Sequence, residues 1–385
     1  MNSDSGSRSL SDVVNHALAA IACLFLFVLP SMGQQAGTPG KNSAPPSSVT
    51  ATLKELATIH VQSNLVEAPV TVTDSSGNYV QTLGVSDFEI LDNGVPQHIT
   101  RFGLAMQPVA LVILVQTNQA VAPLLGEVRP LGSVFYGLLS GAKGQTAVLC
   151  FDNKVRMAQN FSSDPDTLSH TLQRLTTEGS GVRLNDGLAR AILMLSERPA
   201  SERRVIVVIS EGFDRGSETN QAEIVHAATG AGVAIYGLRF EPLSVLLNNK
   251  QEQKPPDPAD VNMARPGIPG QPHTPDSTQA YWNTPIDGLP LISDAINVVR
   301  SVRFRDLVDV YSKYTGGIAY GPWTKSSLQD RLQRISLDIN SQYMLAYVPS
   351  DLNEQGFHRL QITVREPRLK VRARAGYFYK LKANK

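Results

Sequence analysis

The chain has 385 residues and a formal net charge of +1 at neutral pH. That length accommodates two or three domains, and a near-neutral balance gives no electrostatic basis for binding nucleic acid or an anionic membrane surface. Two cysteines, Cys23 and Cys150, exclude a disulfide-stapled scaffold.

Residues 17–29, ALAAIACLFLFVL, form an apolar run of signal-peptide length that is short for a membrane span. Ser31 and Gly33 are small residues at the two positions a signal peptidase requires, so residues 1–33 read as a signal peptide cut after Gly33. The segment before the run sets Arg8 and His16 against Asp4 and Asp12. Such a weakly basic flank leaves an uncleaved membrane anchor as the alternative. Cys23 lies inside the apolar run, which argues against lipid attachment. Residues 34–58, Gly/Pro/Ser-rich at first, read as a flexible linker. The expected location is secreted or periplasmic, with no further membrane association. Cys150 sits in the apolar run TAVLCF and is expected as a small buried hydrophobe, not a reactive thiol.

Residues 59–104 alternate and turn as a small β unit. LVEAPVTV at 65–72 is followed by the turn-rich DSSGN at 74–78. FEIL at 88–91, the turn Asp92-Asn93-Gly94 and QHITRF at 97–102 follow. Asn-Gly between such runs is a hairpin signal.

From residue 105 to 341 the rhythm becomes strand, helix, strand, helix. VALVILV at 109–115 is continuously apolar, as expected of a strand buried on both faces of a sheet. It stops at Gln116, Thr117, Asn118 and Ala120, and in open α/β sheets ligands sit at the carboxyl ends of such strands. Residues 124–139 read as a helix interrupted at Pro130, and 146–151 and 155–158 as strands around a turn at Asp152-Asn153-Lys154. Asp-Pro-Asp opens a helix at 164–175. A second helix, 185–196, aligns Leu188, Ile192 and Leu195 on one face. RVIVVI at 204–209 ends in Ser210-Glu211-Gly212; a helix at 222–229 stops at Gly230, and VAIYGL at 233–238 is the next strand. This alternation predicts a doubly wound, mostly parallel sheet flanked by helices. Residues 242–300, rich in proline and poor in apolar residues, read as a disordered or extended insertion. A helix at 304–314, a short strand at 318–320 and a helix at 326–339 then resume the pattern. The tail, 342–380, returns to β in runs at 342–348, 357–364 and 370–378. It is expected to pack with the N-terminal unit as an accessory β-sandwich.

Several of these segments together resemble the bacterial VWFA-related domain family, described chiefly from acidobacterial genomes, over residues 59–379. Asn64-Leu65-Val66-Glu67-Ala68-Pro69-Val70 with Asp87-Phe88-Glu89-Ile90 is similar to the family's N-terminal β unit. Residues 205–212 with Asp214 resemble its second buried strand and following loop, and Thr315-Gly316-Gly317 a motif before a later strand. Gln342-Tyr343, Tyr347-Val348-Pro349 and Arg374-Ala375-Gly376-Tyr377 resemble its C-terminal signature. The resemblance implies a von Willebrand factor A (VWA) fold with a metal-ion-dependent adhesion site. That site uses an Asp-x-Ser-x-Ser loop after the first strand, a Thr from a second loop and an Asp after a later strand. Here Gln116 stands at the Asp, Asn118 and Ala120 at the two Ser, Val182 at the Thr, counted back from Asp186, and Glu211 at the late Asp.

The substitutions disfavour a metal. Gln116 and Asn118 offer neutral amide oxygens, and Ala120 and Val182 offer no side-chain oxygen, so Glu211 is the one weak metal candidate. Removing a carboxylate from beside a divalent ion removes attraction on the order of several kcal/mol, and Mg²⁺ tolerates distorted geometry poorly. No cofactor is expected, a divalent cation such as Mg²⁺ included.

Other residues yield no catalytic pattern. Ser210 lacks the Gly-x-Ser-x-Gly context, because position 208 is Val. None of the seven His residues falls in a compact zinc pattern, and His226 reads as an ordinary polar-face residue. Gly137, Gly141 and Gly144 follow a helix and read as its end. Asp152, Asp186 and Asp214 could cluster near the crevice, but caps and turns explain them more simply: Asp186 opens a helix and Asp152 begins a turn, with Asp186 and Asp214 kept as additional crevice candidates. Arg303, Arg305, Arg331 and Arg334 read as solvated faces; Tyr281, Trp282, Tyr320 and Trp323 read as a contact patch or as packing. The expectation is an exported, non-enzymatic, adhesion-type module binding an unidentified protein at the top of the sheet, with a degenerate metal site. The alternatives are an exported hydrolase using Asp186, Glu211 and Asp214, or a structural envelope component in which the site is vestigial.

Overall fold

The continuous apolar run at 109–115 becomes β5 (Val109–Gln116), and all eight of its residues are buried. A computed structural model describes residues 65–137, 143–240, 307–321, 328–351 and 356–379. The signal segment, the linker, the proline-rich insertion, and Tyr281, Trp282, Arg303, Arg305 and Trp323 lie outside the described residues.

β5 is central in a six-stranded sheet. Its neighbours are β6 (Gln145–Phe151) and β8 (Arg203–Ser210), both parallel to it. β9 (Val233–Arg239) and β10 (Ala319–Tyr320) extend the sheet in parallel beyond β8; β7 (Val155–Ser162) closes the other edge antiparallel to β6. Counted in chain order, the strands run 3-2-1-4-5-6, a doubly wound arrangement whose order reverses between β5 and β8. The fold is VWA-like, as the resemblance implies.

Alternate residues of the strands serve opposite faces. Ala110, Val112, Leu114, Ile206, Val208 and Ile235 pack beneath α4 (Leu184–Ser196), α5 (Gln221–Gly230) and α6 (Leu307–Thr315). Leu111, Ile113, Val115, Val205, Val207 and Tyr236 pack against α1 (Ala122–Val128), α2 (Gly132–Phe135), α3 (Pro165–Gln173) and α7 (Leu328–Asn340). Pro130 falls in the 3-10 turn between α1 and α2, where it ends the first helix. Asp164 caps α3 by accepting from the Asp166 and Thr167 N–H groups, and Asn220 and Glu223 form a reciprocal cap on α5. Among the described residues, no helix is long and apolar enough to cross a membrane.

The flanking segments build two antiparallel sheets. β1 (Val66–Thr73), β4 (Ile99–Leu104), β11 (Tyr343–Tyr347) and β13 (Lys370–Ala373) form one, in the order β13-β1-β11-β4. β2 (Phe88–Asp92), β3 (Val95–Gln97), β12 (Gly356–Val364) and β14 (Gly376–Tyr379) form the other, in the order β14-β12-β2-β3. Val70, Val72, Phe88, Ile90, Leu345 and Leu360 share one core between them.

Two expected strands each divide. The run 97–102 breaks at His98, and 370–378 breaks at Arg374-Ala375, so that each half joins a different sheet. Alternation continues through both corners and hides them. At the second corner, the Ala375 N–H donates to the Tyr314 carbonyl at the end of α6 (3.1 Å) and leaves the ladder. His226 also departs from expectation. It packs its ring on Phe378, with centroids 3.9 Å apart, where α5 meets β14, and burial lowers its pKa. Arg331 is partly buried and donates to the Gly321 carbonyl, so it is not a purely solvated side chain.

A polar seam joins sandwich and α/β sheet. Asp338 of α7 is fully buried and accepts from Tyr236 Oη of β9 (2.7 Å), Thr71 Oγ1 of β1 (3.3 Å) and the Arg372 guanidinium of β13. Arg203 of β8 donates to the Ile339 carbonyl (2.6 Å) and to Gln342.

Candidate functional site

The reversal of strand order opens a crest between the carboxyl ends of β5 and β8. Gln116 ends the first strand and Glu211 follows the second. The Gln116 side-chain oxygen accepts from the Glu211 backbone N–H at 3.0 Å. That N–H can only donate, so it fixes which end of the amide is oxygen. The Gln116 NH₂ then donates to Asn118 Oδ1 and to Glu211 Oε2, both at 3.2 Å. Gln116, Asn118 and Glu211 are 1%, 3% and 8% exposed. Burial raises the Glu211 carboxyl pKa, while the Gln116 hydrogen bond and the charge of Arg215 oppose that rise.

The remaining two sequence-predicted positions do not join this group. Ala120 is exposed and has no polar side chain. Val182 turns its side chain into the core beside Leu184 and Leu188, while its carbonyl accepts from the Arg215 N–H at 2.7 Å. Among the described residues, no group of three or more His, Cys, Asp or Glu could hold a metal ion. The donor set does not fit a divalent cation either. It contains one carboxylate, and the Gln116 NH₂ already occupies the space toward which Asn118 Oδ1 and Glu211 Oε2 point.

Asp186 and Asp214 gather a few residues away, at the start of α4. Asp214 Oδ1 accepts from the Asn185 N–H (2.9 Å) and Ser217 Oγ (2.6 Å), and burial raises its pKa against those bonds. Asp186 Oδ1 accepts from the Glu218 and Thr219 N–H groups at 3.1 and 3.0 Å, and Arg183 lies 3.4 Å from its Oδ2. Both carboxylates tie the loop after β8 to α4. Asn185 continues inward, accepting from Tyr311 Oη at 2.6 Å.

The spacing of the sequence did not disclose a third cluster, around Arg156. Its guanidinium pairs with fully buried Asp152 (2.7 Å) and with Glu178 (3.3 Å) and donates to Thr117 Oγ1 (3.2 Å). The Glu178 N–H donates to the Thr117 carbonyl (2.8 Å), and the Gln119 N–H to the Gly179 carbonyl (3.2 Å). Gly179, at φ +62°, lies so close to Asn153 that an added Cβ would stand 2.4 Å from its Oδ1. A side chain there would displace Asn153, and the left-handed backbone favours glycine. The i, i+4 spacing of Asp152 and Arg156 was the available signal, but it spans a turn and a strand start, where helical spacing rules do not apply. Ser210 is fully buried and its Oγ accepts from the Gly212 N–H at 3.0 Å.

No family model matches the sequence, and no curated protein matches it. Solved structures do show likeness. BatB, a conserved hypothetical protein from Bacteroides thetaiotaomicron, is 17% identical over 34% of this chain, with a TM-score of 0.30; this chain spans 66% of that one, just under two thirds. An aerotolerance-related membrane protein from Bacteroides fragilis is 14% identical over 60% of this chain and 98% of its own, with a TM-score of 0.36. The SpRpn10 VWA domain is 14% identical over 36% of this chain and 79% of its own, with a TM-score of 0.29.

Proposed function

We propose that this chain is an exported, non-enzymatic protein-interaction module whose crest binds a partner through hydrogen bonds without a bridging metal. The observation that carries this reading is the Gln116–Asn118–Glu211 group, closed on itself at the point where a doubly wound sheet exposes its ligand crevice. Export is read from the apolar run at 17–29 and the small residues after it. Hydrolysis finds little support. Asp186 and Asp214 are held by N–H donors and a serine hydroxyl, and Ser210 Oγ is buried against its own turn. A general base needs a nucleophile or a held water within reach.

The test is capture of binding partners by the full chain and by its Asn118→Ala variant, each with and without chelator. Capture that survives chelation and is lost in the variant is expected. Capture that needs Mg²⁺, Mn²⁺ or Ca²⁺, or that the variant leaves unchanged, sinks the reading. A hydrolase panel should be silent; activity abolished by Glu211→Gln would replace the module with an enzyme.

A further inference from the structure

We infer that the Gln116 amide takes the place of a cation at the crest, and that the crest therefore accepts a basic side chain, of arginine or lysine type, and not an acidic one. The inference rests on the crest being a binding surface and adds the chemistry of what it binds. Three observations carry it. First, Gln116 Nε2 donates to Asn118 Oδ1 and Glu211 Oε2 together, so one neutral NH₂ holds the two loops that an ion would otherwise bridge. Second, Glu211 is more than nine-tenths buried, and among the described residues the hydrogen-bond donor to its carboxylate is that NH₂, on Oε2. Third, the nearby Arg215 is engaged elsewhere. Its guanidinium lies over the Phe213 ring, 5.8 Å from the centroid, and acts on Glu211 only through its charge.

The sign of the preference follows from charge. A bridging ion lets an adhesion site receive a carboxylate. With a neutral amide in that place, an incoming carboxylate meets the Glu211 charge across the Gln116 NH₂, and like charges repel. A guanidinium or ammonium finds an anionic oxygen to donate to, in a bond stronger than a neutral one. The loops around it agree: residues 152–156, 176–186 and 210–219 carry Asp152, Glu178, Asp186, Glu211, Asp214 and Glu218 against Lys154, Arg156, Arg183 and Arg215.

The experiment titrates the full chain with N-acetyl-arginine amide and, separately, with N-acetyl-aspartate amide, following the side-chain amide resonances of Gln116 and Asn118. With the arginine probe these resonances should shift, equally in chelator and in Mg²⁺, and with the aspartate probe they should stay in place. Glu211→Gln, which keeps size and hydrogen bonding, should weaken the arginine probe about tenfold, the difference between a charge-assisted and a neutral hydrogen bond. Asn118→Asp, which adds an anionic oxygen facing the same NH₂, should strengthen it. A Mg²⁺-dependent response to aspartate, no response to arginine, or an arginine response indifferent to both substitutions overturns the inference. If arginine fails while Asn118→Ala still abolishes partner capture, the charge inference falls and the module reading stands. If capture is also indifferent to Asn118, both fall.

Discussion

The crest and the seam are both buried polar groups built on the same sheet, and they are satisfied in opposite ways. At the seam a full negative charge, Asp338, meets a full positive charge, Arg372, with Tyr236 and Thr71 hydroxyls completing the set. Burial alone would lower the Arg372 pKa, but the Asp338 carboxylate holds it above its ordinary value; burial raises Tyr236 far above its own. At the crest a neutral amide holds the groups together, and among the described residues no cationic side chain is hydrogen-bonded to the one carboxylate. The seam is arranged to stay shut. The crest uses bonds that a ligand can exchange for others of similar strength. Both readings can be broken.

The largest effect belongs to the seam. Asp338→Ala leaves the half-buried Arg372 charge without its carboxylate, with the Gly316 carbonyl and Thr71 Oγ1 still accepting from it, and should cost about 3 kcal/mol by urea denaturation, the lower end for a broken buried pair. Replacing both partners with apolar residues of similar size, Asp338→Leu with Arg372→Met, should restore most of that loss. A single-variant cost below about 1 kcal/mol would mean the pair is not desolvated and the seam is an ordinary surface contact.

The crest should respond less. Gln116→Leu leaves the Glu211 N–H and Asn118 Oδ1 without their partner, a loss of about 1–3 kcal/mol. Thermal melting should be indifferent to chelator, Mg²⁺ and Mn²⁺ in the parent. Gln116→Asp deletes the NH₂ and sets a second carboxylate beside Glu211, so its melting temperature should fall and be recovered by Mn²⁺. A parent whose melting rises with Mg²⁺ would show that the amide is not a substitute for an ion. Cys150 offers a nearby control. It is buried, and burial pushes its thiol up to about 12. It should therefore resist alkylation at neutral pH until the protein unfolds.

The same comparison explains what could be read in the sequence. Fold was legible where periodicity is local. Seven apolar residues from Val109 announce a strand buried on both faces, and Asp164-Pro165 announces a helix start. The position of the crest was legible too, because Gln116 and Glu211 each terminate such a run. The seam was not. Asp338 lies between Leu337, which is exposed, and Ile339, which is buried, and nothing within α7 reveals that Arg372 and Thr71 will cover it. Its partners are brought together only by the return of the chain into the sandwich. The corners at His98 and Arg374-Ala375 escaped for a related reason: alternation continues through them while the hydrogen-bond ladder changes sheets. At the crest, residue types showed the missing charge, but the direction of the Gln116 NH₂ came only from its contact with the Glu211 backbone.

The smallest stability effect is also the sharpest test of the contrast, because its direction should be opposite to the losses expected above. Burial raises the Glu211 pKa in the folded state, so the folded chain holds that proton more tightly than the unfolded one. Its contribution therefore favours folding at low pH and is lost as pH rises from the unfolded value, about 4.3, through the raised folded value. Above that window an ionised Glu211 is a cost. Glu211→Gln removes the cost and keeps a hydrogen-bond partner for Gln116. At about pH 8 its melting temperature should equal or slightly exceed that of the parent, and the difference should shrink toward about pH 4, where the parent carboxyl is protonated. Asp214, shifted in the same direction, is present in both proteins and cancels from the comparison. A variant that melts lower at pH 8 would mean that Glu211 already has a cation in the free protein, which would make the crest a second seam. A variant at least as stable that loses the arginine probe would separate binding from stability at a single carboxylate.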